Sequence, residues 1–345
     1  MLMENLKLST IDKTFSSSDY FDAMRNASEI VKPRIIQIIQ ETCRKYPELS
    51  DDFCFYYAKR VTSKKLLLRP FIFKVFLELY DIDWEEHLDI AAIVEIVNIS
   101  TYQSNLAFDN KYGITNQQAK ANQYISSVFS KLLVFNRIME LDSYTEEQKK
   151  AFVRIIATAY EKLYYGQFID INELNFNNLS ILNTDAVFDE VYRKRCGLIG
   201  SSLIEMIAEL SSLIAGGRKP ELQPLLLDFS YHFGLAGQVV NDLGDLSDKG
   251  KSYTDKYYDL YNRKVTFPIR EAILQTCSLD EDVLISYVEE VVNLNRIKSN
   301  TRCYIEDDVR EMNKDLALMA DKAKDISYLN AIGRILTESK LISDN

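Results

Sequence analysis

The chain has 345 residues, with 41 Lys+Arg against 51 Asp+Glu and only 11 Gly and 6 Pro. That length can bury a large core, and so few turn-forming residues argue against an all-β fold. A net charge of −10 argues against a broad surface for nucleic acid or anionic lipid.

Five scattered cysteines, Cys43, Cys54, Cys196, Cys277 and Cys303, write no disulfide framework and no CxxC metal site, which fits a reduced cytoplasm. His87 and His232 are the only histidines, so carboxylates are left as metal ligands. No signal-like run follows Met1, and no apolar stretch approaches the ~20 residues of a bilayer span. The expectation is a cytoplasmic protein with no membrane span and no nucleic-acid partner.

In chain order, residues 1–18 read as a polar arm and residues 19–345 as one helical domain. Ile30, Val31, Ile35, Ile36 and Ile39 recur at helical spacing, and Arg69 stands just before a helix-opening Pro70. Phe152, Ile155, Ile156, Tyr160, Leu163 and Tyr164 form a second stripe, running into Gly166-Gln167 and Asp170, where Gln167 and Asp170 share a helix face. Breaks at Tyr46-Pro47, Asn172 to Asn183, Gly216 to Pro220, Ser247 to Lys256 and Cys277 to Asp280 have ordinary loop lengths. The 21 Tyr and 17 Phe serve either as core filler or as a lining for an apolar or cationic ligand.

The segment Phe233 to Asp245 is the most informative. On a helix Gln238, Asn241 and Asp245 fall at i, i+3 and i+7 with Asp242 beside them, a face that can hold magnesium alongside substrate phosphates or be a solvated polar turn. Lys249-Gly-Lys-Ser252 is not a P-loop, because its first glycine position is Asp245.

Together these elements resemble the polyprenyl synthetase family, the trans-isoprenyl diphosphate synthases, over roughly residues 20–275. Asn241-Asp-Leu-Gly-Asp245 resembles the second DDxxD motif and Gln238 the glutamine before it. Gly166-Gln167 with Asp170 resembles GQxxDL, Lys264 with Thr266 and Pro268 resembles KxTxP, and Arg69-Pro70 matches the end of GGKRxRP. The resemblance implies an all-α, single-domain class I isoprenoid synthase helical bundle, a homodimer, Mg2+ as cofactor and an allylic prenyl diphosphate as substrate. It assigns catalytic roles to Gln167, Gln238, Arg195 and Lys264, and metal ligation to Asn241, Asp242 and Asp245.

Departures from the family pattern bear on the reaction. The first aspartate-rich motif becomes Asn105-Leu-Ala-Phe-Asp109, which keeps Asn105 and Asp109 on one face as reduced metal ligands. In the isopentenyl diphosphate site Leu66 and Leu67 stand for two cations, Asn98 for a histidine, and Lys111-Tyr112-Gly113 for Arg-Arg-Gly. Diphosphate contacts are left to Arg69, Arg195, Lys264 and Lys111. Arg195-Cys196-Gly197 resembles the KTG segment and precedes Asn241 by 46 residues, about the separation of the diphosphate-sensing arginine and second motif in bacterial terpene synthases. Asn98, Thr101, Tyr102 and Asp170 are read as pocket residues. Ser100 and Thr101 suit a long prenyl tail, with Tyr102 able to fill that space. The expected function is Mg-dependent ionisation of an allylic prenyl diphosphate without isopentenyl diphosphate condensation, as in a terpene synthase. The alternatives are prenyl transfer to isopentenyl diphosphate or another nucleophile, and a non-catalytic subunit of a heteromeric synthase.

Overall fold

The apolar stripe near the start of the chain turns inward on helix α1 (Ser17–Lys45), where Val31, Ile35 and Ile39 are buried. The computed structural model describes residues 17–47, 61, 66–109, 117–247 and 257–337. Helix α2 (Leu68–Leu79) buries Phe71, Ile72, Phe73, Val75, Phe76 and Leu77, so most of its surface faces the interior and the paired Lys74 and Glu78 mark its outer edge. Asp83 caps a short 3-10 turn, Trp84–His87, by accepting from the Glu85 amide. It leads into α3 (Leu88–Asp109), followed by α4 (Gln117–Met139).

Helix α5 (Glu146–Asn172) opens with a reciprocal capping box between Thr145 and Gln148. A short α6 (Leu179–Asn183) precedes α7 (Asp185–Cys196) and α8 (Ser202–Ala215), which are joined through one π-helical turn at Gly197–Ser201. Next come α9 (Leu222–Ser247), α10 (Tyr258–Tyr261) and α11 (Phe267–Thr276), the last with Pro268 in its first turn. Asp280 caps α12 (Glu281–Glu289), and α13 (Val291–Tyr304), α14 (Glu306–Ala320) and α15 (Ser327–Thr337) complete the bundle. Among the described residues there is no strand, as the composition led one to expect.

Helix α8 lies at the centre, packed on α2, α5 and α9, while α3 packs on α1, α2 and α4. The π turn meets α9 at two glycines. A Cβ on Gly200 would stand 2.1 Å from the carbonyl oxygen of Gly234, and one on Gly234 would stand 2.3 Å from Cα of Ser201. Only glycine at both positions permits this backbone approach, which sets the depth of α9 just before Gln238.

Two expectations change. The helix Asp185–Ala215 is, by length and composition, long and apolar enough to cross a bilayer, and 56% of its most apolar window is buried by neighbouring helices. Its hydrophobicity is that of a core element, and interspersed serines hid it in the sequence. Cys43 is disulfide-bonded, whereas Cys196, Cys277 and Cys303 are free. Cysteine spacing therefore gives no support to a reducing compartment.

Candidate active site

A cavity of about 420 Å³ opens between α3, α5, the α7–α8 helix and α9. Its wall brings together Arg69, Asn98, Thr101, Tyr102, Asn105, Gln167, Asp170, Arg195, Gln238, Asn241, Asp242, Asp245 and Lys264. Asp109 is the last residue of α3, but its side chain, like the whole of Lys111, lies outside the described residues. Asp259 also lines the cavity. The sequence analysis assigns it no role; its place five residues before Lys264 is the signal the chain offers.

Local structure fixes Lys264. The segment before α11 pairs with the turn after α5: Phe176 N–H donates to the Arg263 carbonyl and Val265 N–H to the Leu174 carbonyl, each at 3.0 Å. The Lys264 amide donates to the Asp259 carbonyl. Lys264 is thereby brought to the C-terminal turn of α5, where Asp170 lies.

Arg195 is the centre of the charged end. Its Nε donates to Asp170 Oδ1 at 2.7 Å and its Nη1 to Asp242 Oδ2 at 2.7 Å, although the residue is only 4% exposed. Among the described residues its Nη2 makes no hydrogen bond. Lys264 Nζ donates to the other oxygen of Asp170 at 2.6 Å and lies 3.9 Å from Asp259. Burial pushes Asp170 up, but Arg195 and Lys264 together outweigh it and hold the carboxyl below its ordinary value. Asp242 moves the other way. Its burial, reinforced by Asp259 and Asp170, exceeds the pull of Arg195 and raises it.

Asp242 accepts from three donors: Tyr192 Oη and Arg195 Nη1 on Oδ2, and Gln238 Nε2 on Oδ1. Asp242 thereby holds Arg195 and Tyr192 through Oδ2, with Oδ1 shared, among the described residues, only with Gln238. Tyr192, one helical turn before Arg195, went unnoticed in the sequence because the surplus of aromatics hid it.

Of the residues read as metal ligands, Asn241 is exposed, Asp245 is half-buried, and Asn105 lies on the same cavity wall. Among the described residues no three His, Cys, Asp or Glu side chains are grouped to hold a metal by themselves. Magnesium needs only one or two carboxylates when substrate phosphates and waters complete its shell, and Asp245 with the Asn241 amide oxygen fits that demand. Four carboxylates and three cations line the cavity, so a diphosphate bound there needs further positive charge. The buried Gln167 Nε2 has no hydrogen-bond partner, which leaves a donor available at the same wall.

The neighbouring end differs. Leu67 is buried, with its amide donating to Ser28 Oγ at 2.8 Å, and Leu66 packs against the core. Asn98 donates to Glu95 at 3.1 Å. Ser100 does not open a channel, since its hydroxyl is 2.9 Å from Tyr160 Oη, which fills the space behind it.

The helical bundle and its cavity between α3, α5 and α9 define an all-α isoprenoid synthase fold. The polyprenyl synthetase family model matches residues 115–299. The chain therefore belongs to the polyprenyl synthetase family, a family of prenyl diphosphate-dependent enzymes. It is similar in structure to a geranylgeranyl pyrophosphate synthetase from the archaeon Geoglobus acetivorans, with TM-score 0.71 and 17% identity over 95% of this chain and 100% of that one. Heptaprenyl diphosphate synthase from Staphylococcus aureus gives TM-score 0.69 and 14% identity over 91% and 98% of the two chains. A polyprenyl synthase from Caulobacter crescentus, complexed with calcium and isoprenyl diphosphate, gives 0.62 and 17% over 97% and 100%. No curated protein sequence matches the chain.

Proposed function

We propose that this protein ionises an allylic prenyl diphosphate with a divalent metal, Mg2+, and carries the cation to product without condensing it with isopentenyl diphosphate. The observation that carries this reading is the contrast between the two ends of the site. The second-motif end keeps Gln167, Asp170, Arg195, Gln238, Asp245 and Lys264 on one cavity, while Leu66, Leu67 and Asn98 occupy the positions of the co-substrate cations. Each missing cation removes a charge-assisted contact of about 1.5–3 kcal/mol.

Asp245 and Asn241 would hold the metal, which supplies Lewis-acid stabilisation of the departing diphosphate. Arg195, fixed by Asp170 and Asp242, offers Nη2 to the leaving group, and Lys264 adds a second positive charge beside it. Gln167 and Gln238 contribute amide donors. Leu163, Ile199, Leu203, Ile204 and Phe233 on the cavity wall keep water from the cation. Diphosphate release from a C10, C15 or C20 allylic diphosphate alone, in magnesium, supports this function; no release from any of them contradicts it.

Assembly as a homodimer belongs to the same proposal. Ile125, Val128 and Leu132 are exposed at i, i+3 and i+7 on α4, an apolar stripe suited to a second copy.

A further inference from the structure

Where α3, α4 and α5 meet, a polar cluster that the chemistry above does not use backs one wall of the cavity. Ser104 of α3 and Tyr164 of α5 line the cavity, and Lys131 of α4 reaches the Ser104 hydroxyl from behind at 3.1 Å. Tyr164 Oη lies 2.6 Å from the same oxygen, and Ser127 Oγ bonds it as well. Lys131 Nζ also donates to Ser127 and lies 4.7 Å from the ring centroid of Tyr164 and 5.7 Å from that of Tyr160. Among the described residues these two tyrosines of α5 are the titratable groups that face the lysine, while α3 meets it with serine. Burial alone pushes Lys131 down to about 8.

The cluster adjoins the charged end. Ser104 directly precedes Asn105, and Tyr164 precedes Gln167 by three residues on α5, about 4.5 Å along the helix axis. Asn105 and Gln167 line the same cavity as Asp245 and Arg195. A diphosphate held there sets the first isoprene unit, and with it the allylic cation, against the Ser104 and Tyr164 hydroxyls. An ammonium behind those hydroxyls would oppose the cation by like-charge repulsion. The state of Lys131 that suits ionisation is therefore the neutral amine, which is also the state that accepts a proton.

The geometry points to Ser104 and Lys131 as a proton relay that ends the reaction by deprotonating the allylic cation. The inference rests on the ionisation proposed for the same cavity. A C–H bond next to the cationic system breaks, and its electron pair becomes the new C=C bond. The proton passes to Ser104 Oγ as the serine's own proton passes to Lys131 Nζ, so the serine ends as it began and the lysine ends as an ammonium. Lys131 is half-buried and returns that proton to solvent after turnover. Ser104 is the group that touches the substrate, Tyr164 and Ser127 orient its hydroxyl, and Lys131 acts through it. A cation that escapes the relay is captured by water as an alcohol.

The test is the partition between hydrocarbon and alcohol. The protein is incubated with magnesium and a C10 or C15 allylic diphosphate alone at pH values from about 6 to about 9.5, and both products and released diphosphate are measured. In the wild type the hydrocarbon to alcohol ratio rises about tenfold per pH unit below the lysine's ionisation and levels off above about 8. Lys131→Arg stays charged at every pH, so its ratio is low and flat, and Ser104→Ala loses the same rise. Damage to packing alone would lower total release without removing the ionisation from the ratio, and melting curves verify that each variant is folded. A wild-type ratio independent of pH, a rise that persists in folded Lys131→Arg, or alcohol as the sole wild-type product overturns the relay alone. Absence of diphosphate release from the wild type overturns the ionisation reading and the relay with it.

Discussion

Arg195 Nη1 donates to Asp242 Oδ2 at 2.7 Å across 47 residues of chain, joining the last turn of α7 to the motif-bearing stretch of α9. The same guanidinium holds Asp170, so three helices meet on one positive charge. Arg195→Leu leaves buried Asp242 without a cation and Asp170 with Lys264 alone, a loss of about 3–5 kcal/mol, and the melting temperature falls together with diphosphate release. Arg195→Lys keeps the charge without the forked geometry. It is expected to stay folded and to lose about tenfold or more in turnover, read by melting and release assays on the same preparation.

Asp245 is half-buried and faces the cavity. Asp245→Asn raises the magnesium concentration needed for half-maximal diphosphate release about tenfold or more. Asn241→Asp, which adds a carboxylate on the same face, shifts that requirement downward. Metal titration of initial rates measures both.

The close crossing of the π turn and α9 makes a third prediction. Gly200→Ala brings a methyl group against the backbone of Gly234. Overpacking at backbone contact costs about 1–3 kcal/mol, and here it also displaces Gln238, so stability and turnover fall together. Thermal melting alongside initial rates checks this.

How much of this was legible in the sequence depends on the range of the interaction. The helical character of α5 and α9, and the co-location of Gln167 with Asp170 and of Gln238 with Asn241 and Asp245, follow from three- and four-residue spacing. The partners of Arg195 do not, because Asp170 and Asp242 lie 25 and 47 residues away in the chain. The hold of Asp242 on Tyr192 and Arg195 was hidden for the same reason, since both donors come from α7. Ser100 looked like an opening because its size is local, whereas the Tyr160 that closes it comes from another helix.

A pH dependence follows from the α9–α14 contact. Asp315 is buried, and that burial, together with Asp228, pushes it up to about 6 from the ordinary 3.8. His232 is also raised, chiefly by its hydrogen bond to Asp308, which Arg193 grips through both oxygens. Lys314 offsets the rise at Asp315 and Glu311 adds to it. Both shifted groups bind protons more tightly when folded. Their stabilising contribution is therefore full at acid pH and is lost as pH rises, between 3.8 and about 6 for Asp315 and above 6.5 for His232. Asp315→Asn raises the melting temperature at pH 7.5 by about 2–4 °C, with a smaller gain at pH 5.

The apolar stripe on α4 predicts the oligomeric state. Ile125 and Leu132 are each 56% exposed, and a charge placed on that face opposes its burial against a second copy. The wild type is expected to run as a dimer in light scattering, and the Ile125→Asp and Leu132→Asp double variant as a folded monomer.

The proposal that allylic ionisation proceeds without condensation is tested most directly with isotopically labelled isopentenyl diphosphate. The protein is incubated with magnesium, an unlabelled C10 allylic diphosphate and the labelled co-substrate, and both released diphosphate and the label in extracted product are measured. The proposed function predicts diphosphate release at the same rate with or without isopentenyl diphosphate, and a product free of label. Label in an elongated product, or release that requires the co-substrate, would contradict it.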